Sequence, residues 1–145
     1  MTQVHRTTTI TAELAQQIVL SAQKAAEKTH KKFAISVVDA SGNLKAFLRQ
    51  DGAKLNSVQI SQDKAYSAAS SLMSTQQWSE ILQKDPVLAI GAPSAISRLT
   101  ALGGGIPIVV GGEVIGAIGV SGAHWTDDVK IAKAGLSIVD HRGDS

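Results

Sequence analysis

The chain has 145 residues and a mass of 15.1 kDa, the size of one domain, so we predict a single domain over residues 1–145. With 43% hydrophobic and 18% charged residues it is typical of a globular protein, and the absence of cysteine excludes disulfides, iron–sulfur clusters and a thiolate nucleophile. The excess of 14 basic over 12 acidic residues is small and the few aromatic residues are scattered, which argues against a nucleic-acid partner.

The first half of the chain predicts a helix, a hairpin and a second helix. Apolar residues at three-to-four spacing predict a helix over 12–30 with Thr11 as its N-cap. The period then changes to two, and turn residues interrupt the alternation, so residues 33–49 are predicted to form a β-hairpin. The helical period resumes over 57–72.

The second half predicts a short helix capped by Thr75, a second hairpin over 106–120 and a last helix over 127–140 capped by Thr126. Residues 87–100 fit no single pattern. Because hairpins give antiparallel strands, we predict an α+β fold in which helices cover one mainly antiparallel sheet.

Two glycine-rich segments resemble catalytic or nucleotide-binding motifs and depart from them. The run 119–123 reads Gly-Val-Ser-Gly-Ala, whereas a serine-hydrolase elbow requires glycine at its fifth position. Gly103, Gly104 and Gly105 precede a strand instead of joining a strand to a helix, and Ile108 stands where a dinucleotide fingerprint needs its third glycine. These glycines still permit backbone N–H groups to approach a ligand.

Lys64 lies among small residues on the helix over 57–72, so it is a candidate for an inward-facing cation. An unpaired buried ammonium is costly, and Asp51 and Asp63 are its candidate carboxylate partners. One interpretation is a structural ion pair that ties the preceding loop to the helix. The other is that Lys64 meets the carboxylate or propionate of a ligand.

His124 is the most informative of the four histidines, because Trp125 and the start of a helix follow it directly. An imidazole and a large aromatic ring at a helix N-terminus can form part of an anion-binding or ring-binding pocket. The alternative is that Trp125 closes one end of the core and leaves His124 at its rim. His30, at the end of the first helix, is a second possible iron ligand, although interaction with the helix C-terminus also explains it.

The order of the elements predicts that these residues share one site. Asp51 follows the first hairpin, Lys64 lies on the next helix, the loop of Gly103 to Gly105 enters the second hairpin, and His124 leaves it. If both hairpins belong to one sheet, their exits can meet at the same end. We therefore predict that these residues, with Arg49 and Trp125, line one concave site.

An ordered set of short motifs covers roughly residues 10–138. The motifs are Val38-Asp39-Ala40-Ser41-Gly42, Arg49, Asp51-Gly52-Ala53, Ser57, Lys64-Ala65, Gly104-Gly105-Ile106-Pro107-Ile108, residues 115–122, Asp128, Ala132 and Ala134-Gly135-Leu136. With this set the sequence resembles the GlcG/HbpS family, which includes the C-terminal domain of PduO-type proteins. The resemblance implies a profilin-like α/β/α fold and assembly into a homo-oligomer, from a dimer to an octamer.

The resemblance also implies haem binding, since some members of the family store or sense haem. Two departures bear on the ligand. Certain haem-binding members carry a histidine in the middle of the first helix, where residues 21–26 here contain none, and His124-Trp125 replace the small residues that usually follow Gly122. His124 or His30 is then the possible haem-iron ligand.

Three functions are compatible with these observations. The first is a small-molecule-binding protein whose ligand is haem. The second is a catabolic enzyme, a hydrolase or deaminase that acts on a small carboxylate. In that enzyme Lys64 binds the carboxylate, His124 is the acid or base, and Asp51 orients a partner. The third is an accessory or scaffold protein. Because no apolar run approaches roughly 18 residues and the N-terminus has no apolar signal core, we expect a cytoplasmic protein without a membrane segment.

Overall fold

The structure is a computed structural model that describes residues 1–143, with the surroundings of side chains described as far as Val139. The elements follow the predicted order of helix, hairpin, helices, hairpin and helix. Their bounds are α1 Ala12–Glu27, β1 Ala34–Asp39, β2 Leu44–Arg49, α2 Leu55–Ser71, α3 Thr75–Lys84, α4 Pro86–Ala95, β3 Gly105–Val110, β4 Glu113–Ser121 and α5 Trp125–Gly143.

The four strands form one sheet in the order β2-β1-β4-β3, and every neighbouring pair is antiparallel. The two hairpins therefore lie side by side, with β1 and β4 in the centre. Ser36 on β1 and Gly105 on β3 both pair with Gly119 on β4, which fixes which residues share a face. The predicted α+β class and both antiparallel hairpins are confirmed.

One face of the sheet carries large aliphatic side chains and is covered by α1 and α5. Burial of these side chains is the main stabilisation of the fold, at about 25 cal/mol per Å² of apolar surface removed from water. The core residues contributed by the strands are Ile35, Val37, Ile108, Ile115, Ile118 and Val120, and Phe33, directly before β1, belongs to the same core.

The opposite face carries small residues, and α2 packs on it at close range. A side chain at Gly119 would overlap the carbonyl oxygen of Ser61 on α2, so only glycine allows this approach. The hydroxyls of Ser36 and Ser61 are 2.8 Å apart and hydrogen-bonded across the same interface. The glycine in β4 is thus the reason that α2 lies almost on the backbone of the sheet.

Two predicted helix caps are wrong, and both threonines have other partners. α3 is capped by Ser74, which forms a reciprocal capping box with Gln77. Thr75 is buried and accepts a hydrogen bond from the N–H of Gly105 at 2.9 Å, which ties α3 to the start of β3. α5 begins at Trp125, ahead of Thr126, whose hydroxyl is 2.8 Å from Nδ1 of His124.

One further boundary differs from its prediction, and the structure assigns the stretch for which no prediction was made. The first helix ends at Glu27 and not at residue 30, because Thr29 donates a hydrogen bond to the carbonyl of Ala26 and the chain turns there. The undetermined stretch 87–100 contains most of α4. On this helix Val87 and Ile90 are 82% and 80% exposed. Within residues 1–143, no helix combines the length and the apolar character needed to cross a bilayer.

Candidate functional site

A cavity of about 290 Å³ lies where the N-termini of α2 and α5 approach each other at the end of β4. Its walls come from these two helices, from the end of β4 and from the loop before β3. The lining residues are Lys54, Asn56, Ser57, Ile60, Lys64, Leu102, Ser121, Gly122, Ala123, His124, Trp125 and Asp128.

A buried ion pair lies beside the cavity. Nζ of Lys64 donates to Oδ2 of Asp128 at 2.9 Å and to the carbonyl oxygen of Val120 at 2.9 Å, and both charged residues are almost fully buried. Lys64 faces inward, and its partner is neither Asp51 nor Asp63. Asp63 instead accepts a hydrogen bond from Nε of Arg98 at 2.9 Å.

Burial governs the protonation of this pair. Loss of hydration lowers the pKa of the Lys64 ammonium, and the neighbouring Asp128 only partly opposes that shift. Loss of hydration likewise raises the pKa of the Asp128 carboxyl against the opposing effect of Lys64. Oδ1 of Asp128 also accepts from the N–H of Ala123 at 3.1 Å, so the pair joins α2, the end of β4 and the start of α5.

His124 and Trp125 form the mouth of the cavity. Their ring centroids are 5.5 Å apart, and Trp125 is 38% exposed, so this tryptophan does not close the core. Nδ1 of His124 is 2.8 Å from the hydroxyl of Thr126, and the backbone N–H of Thr126 donates to the same Nδ1 at 3.3 Å. That backbone bond needs a lone pair on Nδ1 and so places the proton on Nε2. In the other tautomer Nδ1–H donates to the hydroxyl, the backbone bond is lost, and Nε2 has a lone pair for a metal or a proton.

The glycine loop lies next to the same groups. A side chain at Gly103 would overlap the ring of Trp125. Gly104 has a positive φ of 130°, and a Cβ there would be 2.9 Å from Nζ of Lys64. The N–H of Gly105 is already bonded to Thr75, so that amide is not free for a ligand.

The remaining predicted site residues lie elsewhere. Arg49 is bonded through Nε and a terminal guanidinium nitrogen to the carbonyl oxygen of Ala53, which folds the loop after β2 back on itself. Neither Arg49 nor the exposed Asp51 lines the cavity, and nor does the exposed His30. The structure therefore brings Lys64, His124 and Trp125 together with Gly103 and Gly104 beside them, and leaves Arg49, Asp51 and His30 outside.

Two serines of the cavity were not predicted as site residues. Ser57 and Ser121 are 2% and 7% exposed, and both line the cavity. The sequence contained a signal for them, since both belong to the motifs that carry the family resemblance. Among the residues that the structure describes, no group of three histidine or carboxylate side chains could hold a metal ion.

The fold and the cavity define an α+β domain with helices on both faces of an antiparallel sheet and a polar cavity at one end of it. A family model described as "Haem degrading protein HbpS-like" matches residues 10–137. The chain belongs to this HbpS-like family.

Individual relatives agree with this assignment. Protein GlcG of Escherichia coli (strain K12) is 35% identical over 112 residues, which cover 77% of this chain and 81% of GlcG. The crystal structure of a double mutant of HbpS from Streptomyces reticuli matches with a TM-score of 0.85 at 31% identity, over 94% of this chain and 90% of that one. The crystal structure of a PduOC–haem complex matches with a TM-score of 0.83 at 25% identity, over 91% of this chain and 96% of that one.

Proposed function

We propose that the protein binds haem at the mouth of the cavity, with His124 as the ligand of the iron. The observation that carries the proposal is the exposed His124–Trp125 pair at the cavity mouth, in a chain whose fold matches that of a PduOC–haem complex. The proposal extends to this chain the haem binding of the PduOC–haem complex.

One hydrogen bond of His124 suits a metal ligand. A ligating imidazole usually donates its second N–H to a nearby acceptor, which fixes the ring and makes the other nitrogen more basic. The Thr126 hydroxyl, 2.8 Å from Nδ1, can be that acceptor if the bond from the Thr126 N–H to Nδ1 is given up, and Nε2 would then be free to bind the iron. Trp125 offers an exposed aromatic ring beside it against which a flat macrocycle can pack.

The size of the cavity determines which part of the ligand it can hold. Its volume of about 290 Å³ lies just below the range of about 300–1,000 Å³ for small-molecule sites. We therefore place the macrocycle at the mouth, next to the exposed rings, and only a substituent of the macrocycle inside the cavity.

A haemin titration of His124→Ala tests the proposal, with His30→Ala as the matched control. Loss of an outer hydrogen bond to a ligating histidine typically costs about 10–100-fold in affinity, so loss of the ligand itself is expected to cost about tenfold or more and to abolish the shifted Soret band. His30→Ala is expected to bind as the parent protein does. A shifted band that survives in His124→Ala and disappears in His30→Ala would assign the iron to the other histidine.

The second function, a catabolic hydrolase or deaminase acting on a small carboxylate, depended on a free charge at Lys64. In the structure that charge is neutralised by Asp128, 2.9 Å away and buried. This contact favours the structural interpretation of Lys64 and is the reason that we prefer haem binding to the enzyme. The cytoplasmic location and the catabolic role stay predictions.

We further propose that the chain forms a homo-oligomer and that α4 takes part in the interface. Val87 and Ile90 are more than three-quarters exposed on this short apolar helix, and burying them against a second copy would remove apolar surface from water. Light scattering at micromolar concentration is expected to give a multiple of 15.1 kDa. The double variant Val87→Glu/Ile90→Glu is expected to dissociate, and a parent protein that scatters as a single chain would refute the proposal.

A further inference from the structure

We infer that the cavity holds a carboxylate at the start of α2, bound by the hydroxyls of Ser57 and Ser121 and by the backbone N–H group of Asn56. The carboxylate could be a haem propionate, in which case the inference rests on the proposed function, or it could belong to a free small organic acid, in which case it does not. The chemistry at the protein is the same for both sources.

The first observation is the uncapped N-terminus of α2. This helix has 17 residues, its N-cap residue Lys54 makes no side-chain capping bond, and its first turn contains no acidic residue. The N–H of Ser57 donates to the carbonyl of Lys54, whereas the N–H groups of Leu55 and Asn56 have no acceptor within residues 1–143. Free amides and the positive end of the helix dipole both attract an anion.

The second observation is independent of the helix. The hydroxyls of Ser57 and Ser121 have no hydrogen-bond partner in the part of the chain that the structure describes, although both residues are more than nine-tenths buried. Both line the cavity and come from different elements, α2 and β4. Nε1 of Trp78 is the sole fully buried side-chain nitrogen or oxygen without a partner among the described residues, so these two hydroxyls are open to the cavity. Both can therefore donate to a ligand that accepts from them there.

The charges around the cavity favour an anion over a neutral ligand. Asp128 lines it too, but its charge is compensated by Lys64. Lys54 lies at the mouth and forms no ion pair with any residue described here, so the cavity has an excess of positive charge. An ionised carboxylate has about four acceptor sites on its two oxygens, so it can accept from both hydroxyls and from the amide of Asn56 together.

The direct test is a titration of the full chain with sodium propionate, followed by the amide NMR signals of Leu55, Asn56 and Ser57. We expect saturable shifts with propionate and none with propionamide, which has the same shape without the charge. Because a hydrogen bond to a charged group is among the stronger ones, Ser57→Ala and Ser121→Ala are each expected to weaken binding about tenfold. Inorganic phosphate tests the alternative anion, and tighter binding of phosphate than of propionate would overturn the assignment to a carboxylate.

Ser70→Ala is the matched control, since Ser70 is an exposed serine on the same helix and bonds only to the carbonyl of Ser67. It is expected to bind propionate as the parent protein does. The thermal stability of the ligand-free variants gives a second readout. Ser57→Ala removes a hydroxyl that has no partner, so its melting temperature is expected to stay the same or to rise while binding falls. A lower melting temperature with unchanged propionate binding would show that Ser57 has only a structural role.

Haemin and its dimethyl ester distinguish the two sources. If the carboxylate belongs to haem, esterification is expected to weaken binding to the parent protein by about as much as Ser121→Ala weakens the binding of haemin. If haemin and its ester bind equally, or haemin does not bind, while propionate saturates the site, the source is a free acid. Absence of both the propionate response and the ester effect would overturn the inference, whatever the Soret band shows.

Discussion

Replacing Lys64 with methionine is expected to lower the free energy of unfolding by about 3–5 kcal/mol, because it leaves Asp128 as a buried carboxylate without a cation. Methionine fills most of the space of the lysine stem, so the loss comes mainly from the missing charge and its two hydrogen bonds. Urea unfolding of the variant and the parent protein measures the difference.

Lys31→Met is the matched control for this variant. Lys31 also pairs with an aspartate of the first turn of α5, Asp127, at 2.7 Å, but its side chain is 56% exposed. Exposed ion pairs are screened by solvent and contribute little, so Lys31→Met is expected to unfold nearly as the parent protein does. Equal losses in the two variants would contradict the importance of burial.

The pH dependence of Lys64→Met has a definite sign. Removing Lys64 takes away the charge that lowers the pKa of Asp128, so burial raises that pKa further in the folded variant. A group whose pKa is higher in the folded state contributes its stability at low pH and loses it as the pH rises. The loss of unfolding free energy in Lys64→Met, relative to the parent protein, is therefore expected to be smaller at about pH 4, near the ordinary pKa of a carboxyl, than at about pH 7.

A double variant separates the charge from the packing. Lys64→Met/Asp128→Leu replaces the buried pair with apolar side chains, and such replacements are often neutral or stabilising. We expect the double variant to recover most of the stability that Lys64→Met loses. A double variant that is less stable than Lys64→Met would mean that the bond from the N–H of Ala123 to Asp128 matters more than the ion pair.

Gly119→Ala is expected to cost about 3 kcal/mol or more, at or above the upper end of typical losses from overpacking. The added methyl group would overlap the carbonyl oxygen of Ser61 and crowd the N–H of Ala65, and both are backbone atoms of α2. A flexible side chain could move aside, but a helix backbone can do so only if the whole of α2 shifts away from the sheet. Denaturant unfolding measures the loss, and circular dichroism checks that the fold persists.

Gly91→Ala is the control for Gly119→Ala. Gly91 lies in α4 with nothing near the position of an added Cβ. Alanine favours helix over glycine by about 1 kcal/mol, so this variant is expected to be as stable as the parent protein or slightly more stable. If Gly119→Ala lowers the free energy of unfolding by no more than Gly91→Ala changes it, the close packing of α2 on β4 is contradicted.

The sheet could be predicted because its signals are local. Alternation of period two and the turn residues around Gly42 and Gly111-Gly112 specify each hairpin within a few residues of chain. The N-cap of α3 is harder to predict than the hairpins, because Ser74 and Thr75 are both good capping residues and are adjacent in sequence. Their roles are decided by the contact of Thr75 with Gly105, thirty positions further along the chain.

The cavity could be predicted only in part, for a related reason. The order of the elements was enough to bring Lys64, His124 and Trp125 to one end of the sheet. The partner of Lys64 was missed because Asp128 is 64 residues away and reads in the sequence as one of two acids of a first helical turn. Asp51 was predicted as a partner of Lys64 and as a site residue from its position in the sequence alone. The hydrogen bonds from Arg49 to the carbonyl of Ala53 fold its loop, and Asp51 does not line the cavity.

The near-contact of α2 with the sheet also bears on how the cavity meets its ligand. With the backbones of Gly105 and Gly119 under the carbonyls of Lys64 and Ser61, α2 has no layer of side chains on which to slide. The start of α5 is tied to the end of β4 and to α2 through Asp128. Both walls are therefore anchored to the same rigid strand, so the site should be preorganised and spend little of its binding free energy on rearrangement. The width of the cavity is set when the chain folds. We therefore expect a ligand to bind without closure of the cavity walls.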